Sequence, residues 1–320
     1  MLSQGSLLKF TLGRLLATVA LLLAVSFIVF TLLQLTPGDP ARNLLGPRAS
    51  SPEALAEIRD QYNLNEPFVR QYLLWLGGVV QGDFGDSIRS DEPVTALLAN
   101  RVLLTMQLAA LAFVLTLLVA VPLGIAAAWR AGGAIDRGVT TGAIVGVGAP
   151  SYAVGLLLLY VFGVKLDVFP IYGSGEGGLD RMWHLSLPAV TLAIGVGALV
   201  FKLTRTAVLA ELDQDYVAFA QSRGLSRRQI RSMVLRNAML PIVTSLGLVF
   251  AFLFGGTILV EVTFALQGIG SLLAGSVTFK DIPVVQAITL LTAAVIALTA
   301  LAVDLFSFAA DPRVRSRAAA

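Results

Sequence analysis

Residues able to do chemistry are scarce in this sequence. His184 is its single histidine and cysteine is absent, so neither a conventional zinc centre nor a disulfide is expected. His184 stands beside Trp183 near the end of an apolar segment, the usual setting of amphipathic rings at a membrane boundary. No His-Glu-x-x-His run occurs, and no apolar segment pairs two carboxylates as an intramembrane aspartyl protease would require. The 30 glycines never take the G-x-x-x-x-G-K-[S/T] spacing that cradles nucleotide phosphates. The chain is therefore expected to be no enzyme, to hold no cofactor or metal, and to leave any ATP to another polypeptide.

What remains is chemistry of contact. Seven basic residues fall between Lys202 and Pro241: Lys202, Arg205, Arg223, Arg227, Arg228, Arg231 and Arg236. Tyr216, Val217, Phe219 and Ala220 give a short helix an apolar side. Gly224 interrupts it, and Ser226 is placed to cap a second helix from Arg227. That helix carries Ile230, Met233 and Val234 on one face and Arg227, Arg228 and Arg231 on another. It is expected to end near Asn237, leaving Pro241 at the mouth of the next apolar segment. Such a knob offers apolar area and charge together, as a docking element for a soluble partner does. The plainer alternative is a loop whose arginines face lipid headgroups.

The elements that must hold this knob are membrane spans. Hydrophobic residues make up 56% of the sequence and charged ones 13%. A hydrocarbon core takes about 20 apolar residues per helix. Six segments qualify: Leu12 to Leu33, Val102 to Trp129, Val139 to Leu166, His184 to Thr204, Met239 to Val262 and Pro283 to Phe308. The first is read as a retained span, being longer than a signal peptide's apolar region and followed by no small-residue cleavage pattern. The third contains Pro150 after Gly146 and Gly148, read as a kink in one packed span, with Gly142 and Gly146 a four-spaced small pair.

Net charge is +3, too small an excess to suggest nucleic acid, but its distribution sets direction. With the N-terminus in the cytoplasm, that side receives Lys9, Arg14, Arg130, Arg137, the seven knob residues, Arg313, Arg315 and Arg317, 14 of the 23 basic residues. The opposite side receives nine basic and 14 acidic residues, with Asp304 left inside the last span. Both termini are thus expected on the cytoplasmic side of a cell-membrane protein. The segment from Gln34 to Asn100 lies outside as a small helical insertion. Ser51 caps one helix starting at Pro52. Asn65 opens another with Phe68, Tyr72, Trp75 and Val79 on a common side.

The run Asp215-Tyr216-Val217-Ala218-Phe219-Ala220-Gln221-Ser222-Arg223-Gly224, followed by Arg236-Asn237-Ala238-Met239-Leu240-Pro241, resembles the cytoplasmic "EAA" motif of ABC-importer permeases. The branch it is similar to is that of dipeptide, oligopeptide and nickel importers, and within it the first of two permease subunits. Leu35-Thr36-Pro37-Gly38-Asp39-Pro40, Gly82-Asp83-Phe84-Gly85-Asp86-Ser87, Leu187-Pro188-Ala189, Arg205-Thr206 and Asp311-Pro312-Arg313 extend the resemblance over nearly the whole length. Phe219, Gln221-Ser222 and Leu266-Gln267 depart from the family's usual residues.

The resemblance implies an all-α polytopic fold of the type I importer (MetI-like) class. Residues 1–320 would form a single transmembrane permease domain, with an extracytoplasmic insertion at 34–100 and an ATPase-coupling loop at 202–241. In that loop Asp215, Tyr216, Ala218, Ala220, Arg223, Gly224, Arg227 and Pro241 would meet the ATPase. It further implies a second, homologous permease subunit, two cytoplasmic ATPase subunits or domains holding ATP and Mg, and an extracytoplasmic solute-binding protein.

The cargo expected on this resemblance is a di- or oligopeptide, with nickel chelates or other small conjugates as the alternative. From the residues alone a secondary transporter or a channel subunit stays open. No internal repeat, filter motif or charged ring favours either. With no Arg or Lys read near mid-membrane, and polar side chains such as Thr105, Gln107, Ser151 and Thr191 in the spans, a wide, weakly selective conduit is expected.

Overall fold

The computed structural model describes residues 4–35, 37–45 and 51–310. Thr36 and the Asp311-Pro312-Arg313 run, with Arg315 and Arg317, lie outside the described residues. Apolar sequence that must satisfy every backbone group internally can only be helical in hydrocarbon, and among the described residues five helices have the length and hydropathy to cross a membrane. They are α1 (Gln4–Leu35), α5 (Val94–Trp129), α8 (Gly178–Leu212), α10 (Arg227–Thr263) and α12 (Ile282–Ala310). Helices α5, α8 and α10 hold 36, 35 and 37 residues. At 1.5 Å per residue each is about 50 Å long, well beyond a hydrocarbon core of about 30 Å. The bundle therefore has helical extensions outside the membrane.

The third expected span is not one kinked helix. Helix α6 (Ala134–Gly148) ends at Ala149, and α7 (Ser151–Leu158) leaves at 106° to it before continuing as a π-helical turn, Leu159–Lys165. Pro150 forces the residue before it out of helical geometry, and Ala149 is extended at φ −83°, ψ 124°. The pair counts as a sixth span only if taken together. Of the two small residues at Gly142 and Gly146, only Gly146 packs closely on α8, where a Cβ would lie 3.5 Å from Ala198 Cβ and Ile194 O.

Helices α5 and α8 form the centre, with α10 against both and α12 between α10 and α1. Leu108, Leu185, Val200, Val249 and Leu253 are buried where these helices meet. Polar ties fix their mutual rotation. Arg205 of α8 donates Nε and Nη2 to the two oxygens of Asp136 at 2.6 and 2.8 Å, and Asp136 also accepts from Gly132 N at 2.8 Å. Arg14 of α1 pairs with Asp304 of α12 at 3.2 Å. Asp304 is thus bonded to a neighbouring helix.

Between α1 and α5 lie α2 (Pro40–Leu45), α3 (Pro52–Gln61) and α4 (Phe68–Val80). Ser51 caps α3 through Ala54 N as its position before proline suggests. Helix α4 starts at Phe68 after Pro67, not at Asn65, whose amide instead donates to Asp60 at 3.3 Å. The preceding chain turns through Asn63 in the left-handed region (φ 54°), and Pro67 is fit only for a helix start. Phe68, Tyr72 and Trp75 share one face, which packs on Phe27 and Phe30 of α1 with ring centroids 5.3–5.9 Å apart. Ser87, before α5, donates to Asp281, before α12, at 2.5 Å.

Candidate functional site

Helix α9 (Asp215–Ser222) follows α8 after a two-residue turn and is followed by α10 after another short turn. The second turn is a left-handed helix stop. Gly224 has φ +75°, its N–H bonds Gln221 O at 3.0 Å, and Leu225 N–H reaches Ala220 O at 3.1 Å. Among the described residues, nothing beyond its own chain neighbours lies within 4 Å of a Cβ placed at Gly224. The glycine is needed for its backbone angle and not for close approach.

Ser226 then starts α10 with a capping box. Its backbone N–H reaches Gln229 Oε1 at 2.9 Å, and Gln229 N–H reaches Ser226 Oγ at 3.4 Å. The expected helix stop near Asn237 does not occur. Helix α10 runs unbroken from Arg227 to Thr263 with Pro241 inside it, so the knob's second helix and the following span are one rod.

Packing decides which residues of the knob stay free. Val217 and Ala220 of α9 are buried with Ile230, Val234 and Ala238 of α10 against Ala128 and Val208, at the ends of α5 and α8. The buried positions on α10 repeat every four residues, as one helix stripe must. Phe219 and Met233, expected on the apolar faces, are exposed instead. Phe219 leaves 60% of its surface open and carries the Arg223 guanidinium over its ring at 4.8 Å.

Asp215, Ala218, Arg223, Gly224 and Arg227 are exposed, Tyr216 is half-buried, and Ala220 is buried. Burial pushes the Tyr216 phenol up, so it stays a donor, to Glu211 Oε2 at 2.8 Å. Pro241 lies apart, about four turns along α10. The structure thus brings the α9 residues and Arg227 together and leaves Pro241 out of that surface. Arg231 of the same end rests over the Trp129 ring at 5.3 Å.

A second polar constellation was not expected. Glu261 of α10, assigned by charge counting to the aqueous side opposite the knob, is fully buried. It accepts a 2.6 Å bond from Thr105 Oγ1 of α5 and a 2.9 Å bond from Ser271 N in the first turn of α11 (Ile269–Thr278). Thr105 Oγ1 in turn accepts from Ile269 N at 3.0 Å.

A Cβ at Gly268 would fall 2.4 Å from the Glu261 carboxylate, and one at Gly270 would fall 2.6 Å from Ile258 Cα. The Gly268-Ile269-Gly270 run lets the turn close over the acid. An acidic residue between Val260 and Val262, followed by two glycines, was the sequence signal available. Thr105 and Thr191 are also fully buried, Thr191 donating to Leu187 O at 3.0 Å. They stabilise packing within this chain and are not walls of an open conduit.

Two family descriptions match the sequence. Residues 120–316 match the binding-protein-dependent transport system inner membrane component, and residues 7–109 match the N-terminal component of the same systems. The chain is similar to the "Probable peptide ABC transporter permease protein y4tP" of Sinorhizobium fredii, 36% identical over 96% of this chain and 99% of that protein. It is 38% identical to the "Glutathione transport system permease protein GsiC" of Salmonella paratyphi A, over 97% of this chain and 99% of the relative. The glutathione permease of Escherichia coli is 37% identical over the same shares.

Proposed function

This chain belongs to the family of binding-protein-dependent transport system inner membrane components, and from that premise we propose how it takes part in import. It is a multi-pass permease subunit of an ABC importer of the peptide class, a transport component and not an enzyme. The cargo is a short peptide. The relatives are named for peptides and for glutathione, itself a tripeptide. This chain forms half of the pathway with a homologous permease, a solute-binding protein delivers cargo at the end where α2–α4 lie, and ATPase subunits carrying ATP and Mg dock at α9.

The observation that carries the coupling role is the construction of the α9–Gly224–α10 knob. Its inner face is anchored to α5 and α8, and its outer face presents Phe219 beside Arg223, with Arg227 near the turn. A motion imposed on α9 passes directly into α10, because the rod that begins at Arg227 continues through the membrane to Thr263. Specific capture of peptides belongs to the binding protein, since fixed charges for both peptide termini in hydrocarbon would be costly.

The testing experiment is uptake of labelled di- to hexapeptides and of nickel by the reconstituted complex, with and without its binding protein. Binding-protein-dependent peptide uptake is expected. Uptake of nickel but of no peptide would reject the cargo, and tight peptide binding by this chain alone would reject the division of labour.

A further inference from the structure

At the end of the bundle opposite α9, a cavity of about 460 Å³ opens between the starts of α5 and α8 and the α10–α11 turn. Arg101 and Arg181 line it with Glu92, Leu97, Ser174 and Gln267. Arg181 Nε is buried and has no hydrogen-bond partner among the described residues. Among the described residues neither arginine makes an ion pair. A buried guanidinium nitrogen without an acceptor is costly, and such groups are normally satisfied.

We propose that this cavity receives the carboxylate of a short peptide through Arg101 and Arg181, an inference that rests on the reading of the chain as a peptide permease. A planar carboxylate is the group whose geometry suits guanidinium forks. The cavity is within the range of small-ligand sites, about 300–1,000 Å³, and so has room for a terminal residue and not merely for an inorganic ion. Its wall is mixed: Ala96, Leu97 and Leu104 offer apolar surface, Ser174 and Gln267 offer hydrogen bonds. That suits a ligand class with a constant carboxylate and variable side chains.

The acids nearby do not already fill the role. Glu92 is exposed at the rim. Glu261 already accepts from Thr105 Oγ1 and from the Ser271 backbone N–H. The position at the delivery end makes the site a first hold on cargo leaving the binding protein, ahead of the pathway shared with the sister subunit.

The cysteine-free sequence allows a direct test. In the purified complex in lipid nanodiscs, Ser174→Cys is labelled by an anionic and a cationic methanethiosulfonate. The anionic reagent is expected to react faster. Arg101→Gln and Arg181→Gln should lower the rate ratio and Arg181→Lys should restore most of it, which separates lost charge from misfolding. Millimolar tri-alanine should slow labelling, tri-alanine amide should not, and the glutamine variants should raise KM for tri-alanine uptake roughly ten- to a hundredfold, as for a lost charge-assisted bond.

Equal protection by acid and amide, no protection by either, or an unchanged KM in both glutamine variants overturns the proposal. So does protection by the unloaded binding protein alone, since an acidic side chain of that partner would then be the occupant. Selective protection by the acid in a complex that imports no peptide would instead reject the peptide-permease reading and leave the carboxylate site standing.

Discussion

Thr105 and Glu261, 156 residues apart in sequence, are joined by a 2.6 Å hydrogen bond in a fully buried site between α5 and α10. The threonine hydroxyl donates to the carboxylate and accepts from Ile269 N, so one side chain ties the start of α11 to both helices. Thr105→Val keeps the shape and removes both bonds. Leaving buried polar groups unmade costs about 1–3 kcal/mol each. The detergent-solubilised complex should unfold at a lower temperature by static light scattering or fluorescence, and Thr105→Ser should recover most of the loss. A Thr105→Val complex as stable as the parent would show that the bond contributes nothing net.

Gly224 should tolerate asparagine far better than valine. At φ +75° an ordinary side chain costs about 1–2 kcal/mol, while asparagine enters this region with less strain. Gly224→Val is expected to insert into the membrane normally, yet to lose binding-protein-stimulated ATP hydrolysis and uptake. Normal assembly and normal uptake in Gly224→Val would remove the knob from the coupling path.

Orientation can be read by labelling single cysteines in intact cells. Ser226→Cys, at the exposed cap of α10, should be closed to an impermeant maleimide. A cysteine at Glu176, at the opposite end of the bundle and also exposed, should react. The reverse pattern would invert the topology inferred from the distribution of basic residues.

Asp39 gives the segment between α1 and α5 a defined pH response. The Ala41 backbone N–H, followed by Arg59 at 2.7 Å, holds its carboxyl below the ordinary carboxylate range. A depressed pKa contributes stability that is complete above the unfolded value, about 3.9, and is lost as pH falls through the folded one. Hydrogen exchange in α2 should therefore quicken as pH falls below about 4, once the intrinsic pH dependence of exchange is removed. Asp39→Asn should exchange faster at neutral pH and lose that acid step. A pH-independent protection ratio between the two proteins would dismiss the Asp39 contribution.

Much of this protein is legible without a fold. Spans declare themselves because hydrocarbon demands long uncharged helices, so five of the six expected segments lie within helices, although half of the helix ends reach six to twelve residues farther than expected. The caps at Ser51 and Ser226 and the left-handed stop at Gly224 are likewise local, set by a side-chain oxygen or a missing Cβ within four residues of the backbone they serve. The sequence alone also located the short helix between α8 and α10 and the family to which the chain belongs, but not the continuity of α10 through Pro241.

What only tertiary structure decided depends on neighbours distant in the chain. Phe219 and Met233 are apolar and helical in period, yet exposed, because Val217, Ala220, Ile230 and Val234 take the positions facing α5 and α8. Pro150 breaks its segment by 106° while Pro188 and Pro241 stay inside continuous helices, since what surrounds a proline settles whether its lost bond ends the helix. Glu261 looked like an acid at a span's aqueous end. Its place was settled by a threonine 156 residues earlier and by two glycines that let a later turn fold over it. A carboxylate can be buried only where donors converge from several elements, and convergence is a property of the folded chain.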